Sequence, residues 1–290
     1  MGSVMVNCRK TVLAVAGLAA FAAASACAAT VVEFRPKEGT GIPGSDGKKL
    51  AANLTLPDGV TTNIPVVIHC HGFWGSKDTA IGNELTRQLV PRGIATLCFD
   101  FNGHKDSEGD FVDMTVWNEI EDTMKVYEYL RSRPDIGKIA ISGHSQGGVV
   151  ASMAAGKLGT DKVSGLAIWA AAAVLKDDAI NGWTLYHHFD PQNPPEYLDL
   201  GDGWHLGRNF LVTAQKLPIY ETAGMYKGGA CVINGGSDVV VPVRYGKRFH
   251  GVLAGSTFHL LPDEDHNFGH DFTSSVAIGA DYFTRVLSQR

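Results

Sequence analysis

Short runs of consecutive, mostly β-branched apolar residues recur along the chain, and longer segments with apolar residues at helical spacing separate them. The runs are "IPVVIHCHG" (Ile64 to Gly72), "IATLCFDF" (Ile94 to Phe101), "KIAISGHS", "VSGLAIWA" (Val163 to Ala170), "ACVINGGSD" and "STFHLLPDED". Each reads as a strand that ends in a loop. Asn83 to Arg92 and Thr115 to Ser132 read as helices between them. Strands apolar on both faces, alternating with helices, predict an α/β fold: a mostly parallel central sheet with helices on both faces. "KKLAANLTLPDG" is expected to add an edge strand before it. Ligands of such sheets collect at the carboxyl ends of the strands, where this chain places its polar residues.

Two regions break the alternation. From Asp177 to about Tyr226 the chain carries "WTLYHHFDPQNPPEYLDLGDGWHLGRNF", rich in aromatics, prolines and glycines and without a clear strand. A structureless loop of that length does not belong inside a compact domain unless it is a lid or binding element, so it reads as a cap insertion. At the start, Arg9 and Lys10 precede the apolar run Thr11 to Ala24 and the small residues "SACAAT", the three-part pattern of a secretory signal over residues 1–28. The run is short and mostly alanine, unlike a membrane span of roughly 20 strongly apolar residues. Cleavage near Ala28 predicts an exported protein, periplasmic or secreted; the alternative is a lipoprotein attached to the membrane through Cys27. Without internal repeats or linkers, residues 29–290 are expected to form one domain carrying the cap.

Composition narrows the chemistry. The 290 residues, 44% hydrophobic and 19% charged, suffice for a large core. A net charge of −5 supplies no broad basic field, which argues against nucleic acid or an anionic membrane as partner. No obligate protein partner is evident, and self-association stays open. Of five cysteines, Cys8 and Cys27 lie in the leader, while Cys70, Cys98 and Cys231 sit in expected buried strands. There a thiol behaves as a small apolar residue. No spacing suggests a metal site, and no cofactor is expected.

Between the strand "KIAI" and the small residues that follow lies "GHSQG", a G-x-S-x-G sequence in strand–turn–helix context, the pattern of a nucleophile elbow. Gly143 and Gly147 admit neighbouring backbone, and Gly148, Ala151, Ser152, Ala154 and Ala155 let the helix approach the sheet. A serine hydroxyl needs a base and a carboxylate, here in the chain order Ser, Asp, His. Asp238 in "INGGSDVVVP" and His266 in "LLPDEDHNF" occupy the loops after the last two strands, completing a triad with Ser145. His270 is the alternative base and Asp100 the alternative carboxylate. His259 falls within a strand and His250 in a helical run, and the acidic trio Asp263, Glu264 and Asp265 is expected to be solvated loop.

Acyl transfer also needs donors for an oxyanion. The loop "HCHGFWGS" after the Pro65 to His69 strand supplies the N–H of Phe73, and the elbow supplies that of Gln146. Among the cap aromatics Trp183, Tyr186, Phe189, Tyr197 and Trp204, one or two are expected to contact substrate and the rest to pack the cap. The His187–His188 pair lacks further ligands at metal-binding spacing and reads as surface or cap packing.

With these pieces in place the chain resembles the α/β-hydrolase superfamily and, within it, the bacterial cinnamoyl and feruloyl esterases. "HGFWGSKD", "DFNGHKDSEGDF", "MTVWNEIEDT", "GHSQGGVVASMAAG", "LKDDAING", "QKLPIYE", "SDVVVP" and "DEDHNF" follow that family in the same order, from about Pro65 to Phe268. The resemblance implies Ser145, Asp238 and His266 as triad, Phe73 and Gln146 as oxyanion donors, and the cap as the holder of an aromatic acyl group. It also implies that Asp178 hydrogen-bonds phenolic hydroxyls. The implied activity is that of a serine esterase releasing ferulic, p-coumaric or caffeic acid from plant-derived esters. A broad short-chain carboxylesterase or a related serine peptidase is second, and a non-catalytic binding protein is remote. The chain departs from the family at "DFNGHK", where "DFNGHG" is common, and at "WAAAA", where the family carries proline.

Overall fold

The computed structural model describes residues 29–288; the leader, with Cys8 and Cys27, lies outside the described residues. Eight strands form one sheet: β1 (Ala29–Phe34), β2 (Ala52–Pro57), β3 (Ile64–Cys70), β4 (Ala95–Phe99), β5 (Ile136–His144), β6 (Leu166–Trp169), β7 (Ala230–Gly235) and β8 (Thr257–Leu261). Their spatial order is β1-β2-β4-β3-β5-β6-β7-β8. From β4 to β8 all neighbours are parallel, whereas β2 runs against both β1 and β4.

Burial follows the apolar runs. Every residue of β4, β6 and β7 is buried, as expected of strands covered on both faces. One face carries α1 (Ala80–Leu89) and the C-terminal helix, Phe272–Ser288, with Ile81, Leu85, Val276, Ala280 and Phe283 packed on Val67, Ala140 and Ile233. The other face carries α2 (Val116–Ser132) and α3 (Gln146–Leu158). Thr115 caps α2 in a reciprocal box: the Asn118 N–H donates to Thr115 Oγ1 at 3.1 Å, and the Thr115 N–H donates to Asn118 Oδ1 at 2.8 Å.

Two expectations about the fold need correction. The strand in "KKLAANLTLPDG" is not the edge, because Ala29–Phe34 pairs antiparallel outside it, from Ala29 opposite Pro57 to Phe34 opposite Ala52. β1 is largely exposed, so its sequence lacks the apolar run that marks the inner strands. The cap is not strandless either. After α4 (Val174–Ile180) come two short hairpins, Trp183–Thr184 with His187–His188 and Tyr197–Asp199 with His205–Gly207, then α5 (Arg208–Ala214) and α6 (Ile219–Ala223). Strands of two or three residues are too short to show any alternation. Leu206, Phe210, Leu211 and Leu217 are buried in the main core, so the second half of this segment is anchored to the domain.

Candidate active site

The elbow is built from the residues around Ser145. This serine has φ 56° and ψ −124°, a backbone conformation that costs free energy and persists only where surroundings hold it. Its N–H donates to Trp169 O at 3.0 Å, and its carbonyl accepts from Ala172 N–H and Gly148 N–H, both at 2.9 Å. A Cβ on Gly143 would stand 2.1 Å from Gly147 O, and one on Gly147 would stand 2.2 Å from Cys70 O. Neither position has room for a side chain, which explains why so little surrounds the serine.

Ser145 Oγ lies 3.0 Å from His266 Nε2, and His266 Nδ1 lies 2.9 Å from Asp238 Oδ2. In this arrangement Nδ1–H donates to the carboxylate and Nε2 is free to accept the serine proton. Asp238 follows β7, and its other oxygen accepts from Val240 N–H at 2.8 Å and Val241 N–H at 2.7 Å. His266 follows β8. Parallel strands end on one edge of the sheet, so three residues far apart in sequence converge there.

The loop after β3, expected to supply an oxyanion donor, lies against the same point. A Cβ on Gly72 would meet Ser145 Cβ at 3.1 Å, so the two backbones are in near contact. His71, buried, fixes the loop: its Nδ1–H donates to Gly72 O at 2.8 Å, and its Nε2 accepts from Phe101 N–H at 3.2 Å. Burial holds its pKa well below the usual histidine value, in keeping with that neutral tautomer. Phe73, Ser145 and Gln146 share one cavity. The first N–H groups of α3, Gln146 included, have no intrahelical acceptor and concentrate positive potential there.

That cavity measures about 400 Å³ and is lined mainly by apolar groups, among them Leu175, Leu185, Phe210, Val240 and Pro242, with Asp178 and Thr184 polar besides Ser145 and Gln146. Of the five cap aromatics only Tyr186 lines it. Trp204 packs on Phe111 with ring centroids 4.8 Å apart, Tyr197 stacks on His205, and Trp183 lies against His188. Asp178 has its carboxyl pKa raised, first by burial and then by neighbouring Asp177, with Arg244 acting in the opposite direction. Asp177 itself accepts from Tyr245 Oη–H at 2.7 Å.

The alternatives have other partners. Asp100 accepts from Lys77 N–H at 2.5 Å and Asp106 N–H at 3.2 Å, tying the loop after β3 to the segment after β4. His270 is exposed. Glu264 corrects the expectation of a solvated acidic loop: it is buried and accepts from His270 N–H, Asp271 N–H and Ser275 Oγ–H at 3.0, 2.6 and 3.1 Å. A run of three acidic residues does not reveal which one turns inward. Among the described residues no group of three or more His, Cys, Asp or Glu is placed to hold a metal ion.

Sequence reasoning missed His144, although it lies inside the elbow motif. Its Nε2 is 2.9 Å from His266 O, and the two rings lie 4.9 Å apart. Burial lowers its pKa to about 4, so near neutral pH it is an uncharged donor that holds the backbone of His266. Its place at the carboxyl end of β5, beside the nucleophile, was the available signal.

This sheet, elbow and edge geometry define an α/β hydrolase. The sequence model of X-Pro dipeptidyl-peptidase (S15 family) matches residues 46–191, half of the chain, and the protein belongs to that family. The solved structure of Est1E from Butyrivibrio proteoclasticus with ferulic acid bound is similar at a TM-score of 0.81 and 27% identity, covering 85% of this chain and 99% of that one. Curated relatives are more distant: human Protein ABHD12B is 24% identical over 196 residues, 65% of this chain. Protein phosphatase methylesterase 1 of Candida albicans is 24% identical over 152 residues, 52% of this chain. The chain spans 49% and 40% of the lengths of these two relatives.

Proposed function

We propose that the protein is a serine esterase that hydrolyses esters of hydroxycinnamic acids through an acyl-serine intermediate. One observation carries this reading: the hydrogen-bonded series Ser145, His266, Asp238 opens onto an apolar cavity of about 400 Å³ that holds a single carboxyl group, Asp178. The similarity to a ferulic-acid-bound esterase supports it.

In this reading Ser145 Oγ attacks the ester carbonyl carbon as its proton passes to His266 Nε2. The oxyanion accepts hydrogen bonds from the N–H groups of Phe73 and Gln146, each worth on the order of 3 kcal/mol in the transition state. The C–O bond to the alcohol then breaks, and the alcohol leaves with the proton from His266. Water, deprotonated by His266, attacks the acyl-serine; the bond from the acyl carbon to Ser145 Oγ breaks, His266 returns the proton to Oγ, and the acid is released. Asp238 keeps Nδ1 protonated and stabilises the imidazolium. The planar acyl group lies between Phe73, Leu175, Tyr186 and Phe210, and its phenol reaches Asp178.

A second reading, a serine peptidase, is favoured by the S15 family match. Turnover of methyl ferulate, p-nitrophenyl butyrate and alanyl-prolyl-p-nitroanilide by the same preparation separates them. The proposal expects the highest kcat/KM on methyl ferulate; preference for the anilide would favour the peptidase, and preference for the butyrate a broad carboxylesterase. We further propose export, on the charged, apolar and small-residue pattern of residues 1–28. The mature protein recovered from its host is then expected to begin near Ala29, or at a lipid-modified Cys27; an N-terminus at Met1 would overturn this.

A further inference from the structure

Behind the oxyanion donor lies a buried carboxyl group that the proposed chemistry does not use. Glu119, in the first turn of α2, is only 1% exposed. Both its oxygens lie within hydrogen-bond reach of the Gln146 side-chain amide, Oε1 at 3.0 Å and Oε2 at 2.9 Å, and Met114 Sδ stands 3.7 Å from the same nitrogen. Gln146 is itself only 3% exposed and is the first residue of α3, directly after the nucleophile. It lines the cavity beside Ser145, while its side chain contacts Glu119 of α2.

The contact reaches the second donor as well. Thr123, one turn along α2, donates from Oγ1 to Glu119 O at 2.9 Å, and its hydroxyl lies 3.4 Å from Cys70 Sγ at the end of β3. Cys70 leads into the oxyanion loop, and its carbonyl is the atom against which Gly147 packs. One turn of α2 therefore touches both segments that supply the oxyanion donors. Among the described residues no cation is paired with Glu119, and burial, with Asp122 nearby, raises its pKa well above the usual carboxyl value. A neutral acid is compatible with a buried site beside a developing anion, where a fixed negative charge would oppose the reaction.

We propose that Glu119 is a positioning residue for the oxyanion site: by holding the Gln146 side chain it fixes the orientation of the Gln146 backbone N–H toward the substrate oxygen. It touches no substrate. This inference rests on the reading of Ser145 as nucleophile, so hydrolysis of p-nitrophenyl acetate by the parent protein and fluorophosphonate labelling of Ser145 are measured first. Failure of either would overturn that reading, whereas the role of Glu119 is judged from ratios between variants.

Glu119→Gln keeps an uncharged hydrogen-bonding partner of the same shape, and Glu119→Leu removes it. The expected result for Glu119→Leu is a fall in kcat of about 10-fold or more with KM changed less than about threefold, since an oxyanion donor acts mainly in the transition state. Glu119→Gln is expected to stay within about threefold of the parent in both constants. Gln146→Met severs the same contact from the other end and serves if Glu119→Leu does not accumulate as folded protein; it is expected to lose kcat to a similar extent. In the double variant the losses are expected not to multiply. Folded Glu119→Leu or Gln146→Met with kcat within twofold of the parent would overturn the proposal. So would multiplying losses, or a loss in Glu119→Gln as large as that in Glu119→Leu, because these would mean independent structural roles or a required charge.

Discussion

The edge that carries Ser145 and the segment that covers it are built in opposite ways. At the elbow, backbone touches backbone: Gly147 admits Cys70 O and His71 O, and the strained Ser145 is held by four hydrogen bonds through its own N–H and carbonyl. In the two hairpins of the cap, Tyr186 is 87% exposed, Trp183 is 41% exposed, and the left-handed Gly201 and Gly203 have open space where a Cβ would go. Under the proposed function the difference separates two jobs. Bond making needs atoms fixed in advance, and close packing supplies that; substrate selection needs a surface whose side chains can change without disturbing the sheet.

Among the substitutions that probe this contrast, the largest effect is expected on the rigid side. Asp238→Asn should lower kcat/KM by about 10⁴-fold, because an amide favours the wrong tautomer of His266. His270→Ala in the same assay should stay within about threefold of the parent. Loss of activity in His270→Ala with retention in Asp238→Asn would reassign the triad. Next, Gly147→Ala should destabilise the fold by about 3 kcal/mol or more in denaturant titrations, since the new methyl meets two carbonyl oxygens at 2.2 and 2.3 Å. A normal midpoint would mean that the elbow yields, and the contrast with the cap would fail.

Two smaller effects fall on the cap. Asp178→Ala should lower kcat/KM for methyl caffeate or methyl ferulate about tenfold, the worth of one hydrogen bond to a polar acyl group. Rates on p-nitrophenyl acetate, which has no acyl-side hydroxyl, should barely change. Equal losses on both esters would make Asp178 a support of the cap instead. Gly203→Ala meets no atom within 4 Å and carries only the left-handed φ of +79°, so it should cost about 1 kcal/mol and leave kcat unaltered. A stability loss rivalling that of Gly147→Ala would show the cap to be as tightly specified as the elbow.

Legibility in the sequence follows the same division. The inner strands were readable because burial on both faces forces continuous apolar runs, as in the "ATLCF" of β4 and the "LAIW" of β6. Ser145, Asp238 and His266 stood out because each follows a strand whose end the topology brings to one edge, and the structure brings them within hydrogen-bond distance. β1 was hard to see because only Val32 and Phe34 of its six residues turn toward the core, and the cap hairpins because two or three residues carry no period. The inward turn of Glu264 and the pairing of Glu119 with Gln146 were hidden for another reason. A carboxylate's burial depends on which way a loop or helix faces, and that is decided by tertiary packing rather than by its sequence neighbours.

Trapping of the acyl-enzyme tests the central claim most directly. Parent protein and Ser145→Ala, each shown to be folded, are mixed with a slowly deacylating activated cinnamate ester, quenched in acid and weighed intact before peptide mapping. The account predicts a mass increase of one cinnamoyl group on the peptide that contains Ser145, and no increase in Ser145→Ala, which should also lose about 10⁵-fold in turnover. An acyl group on another residue, or hydrolysis persisting in Ser145→Ala at a rate near that of the parent, would contradict it.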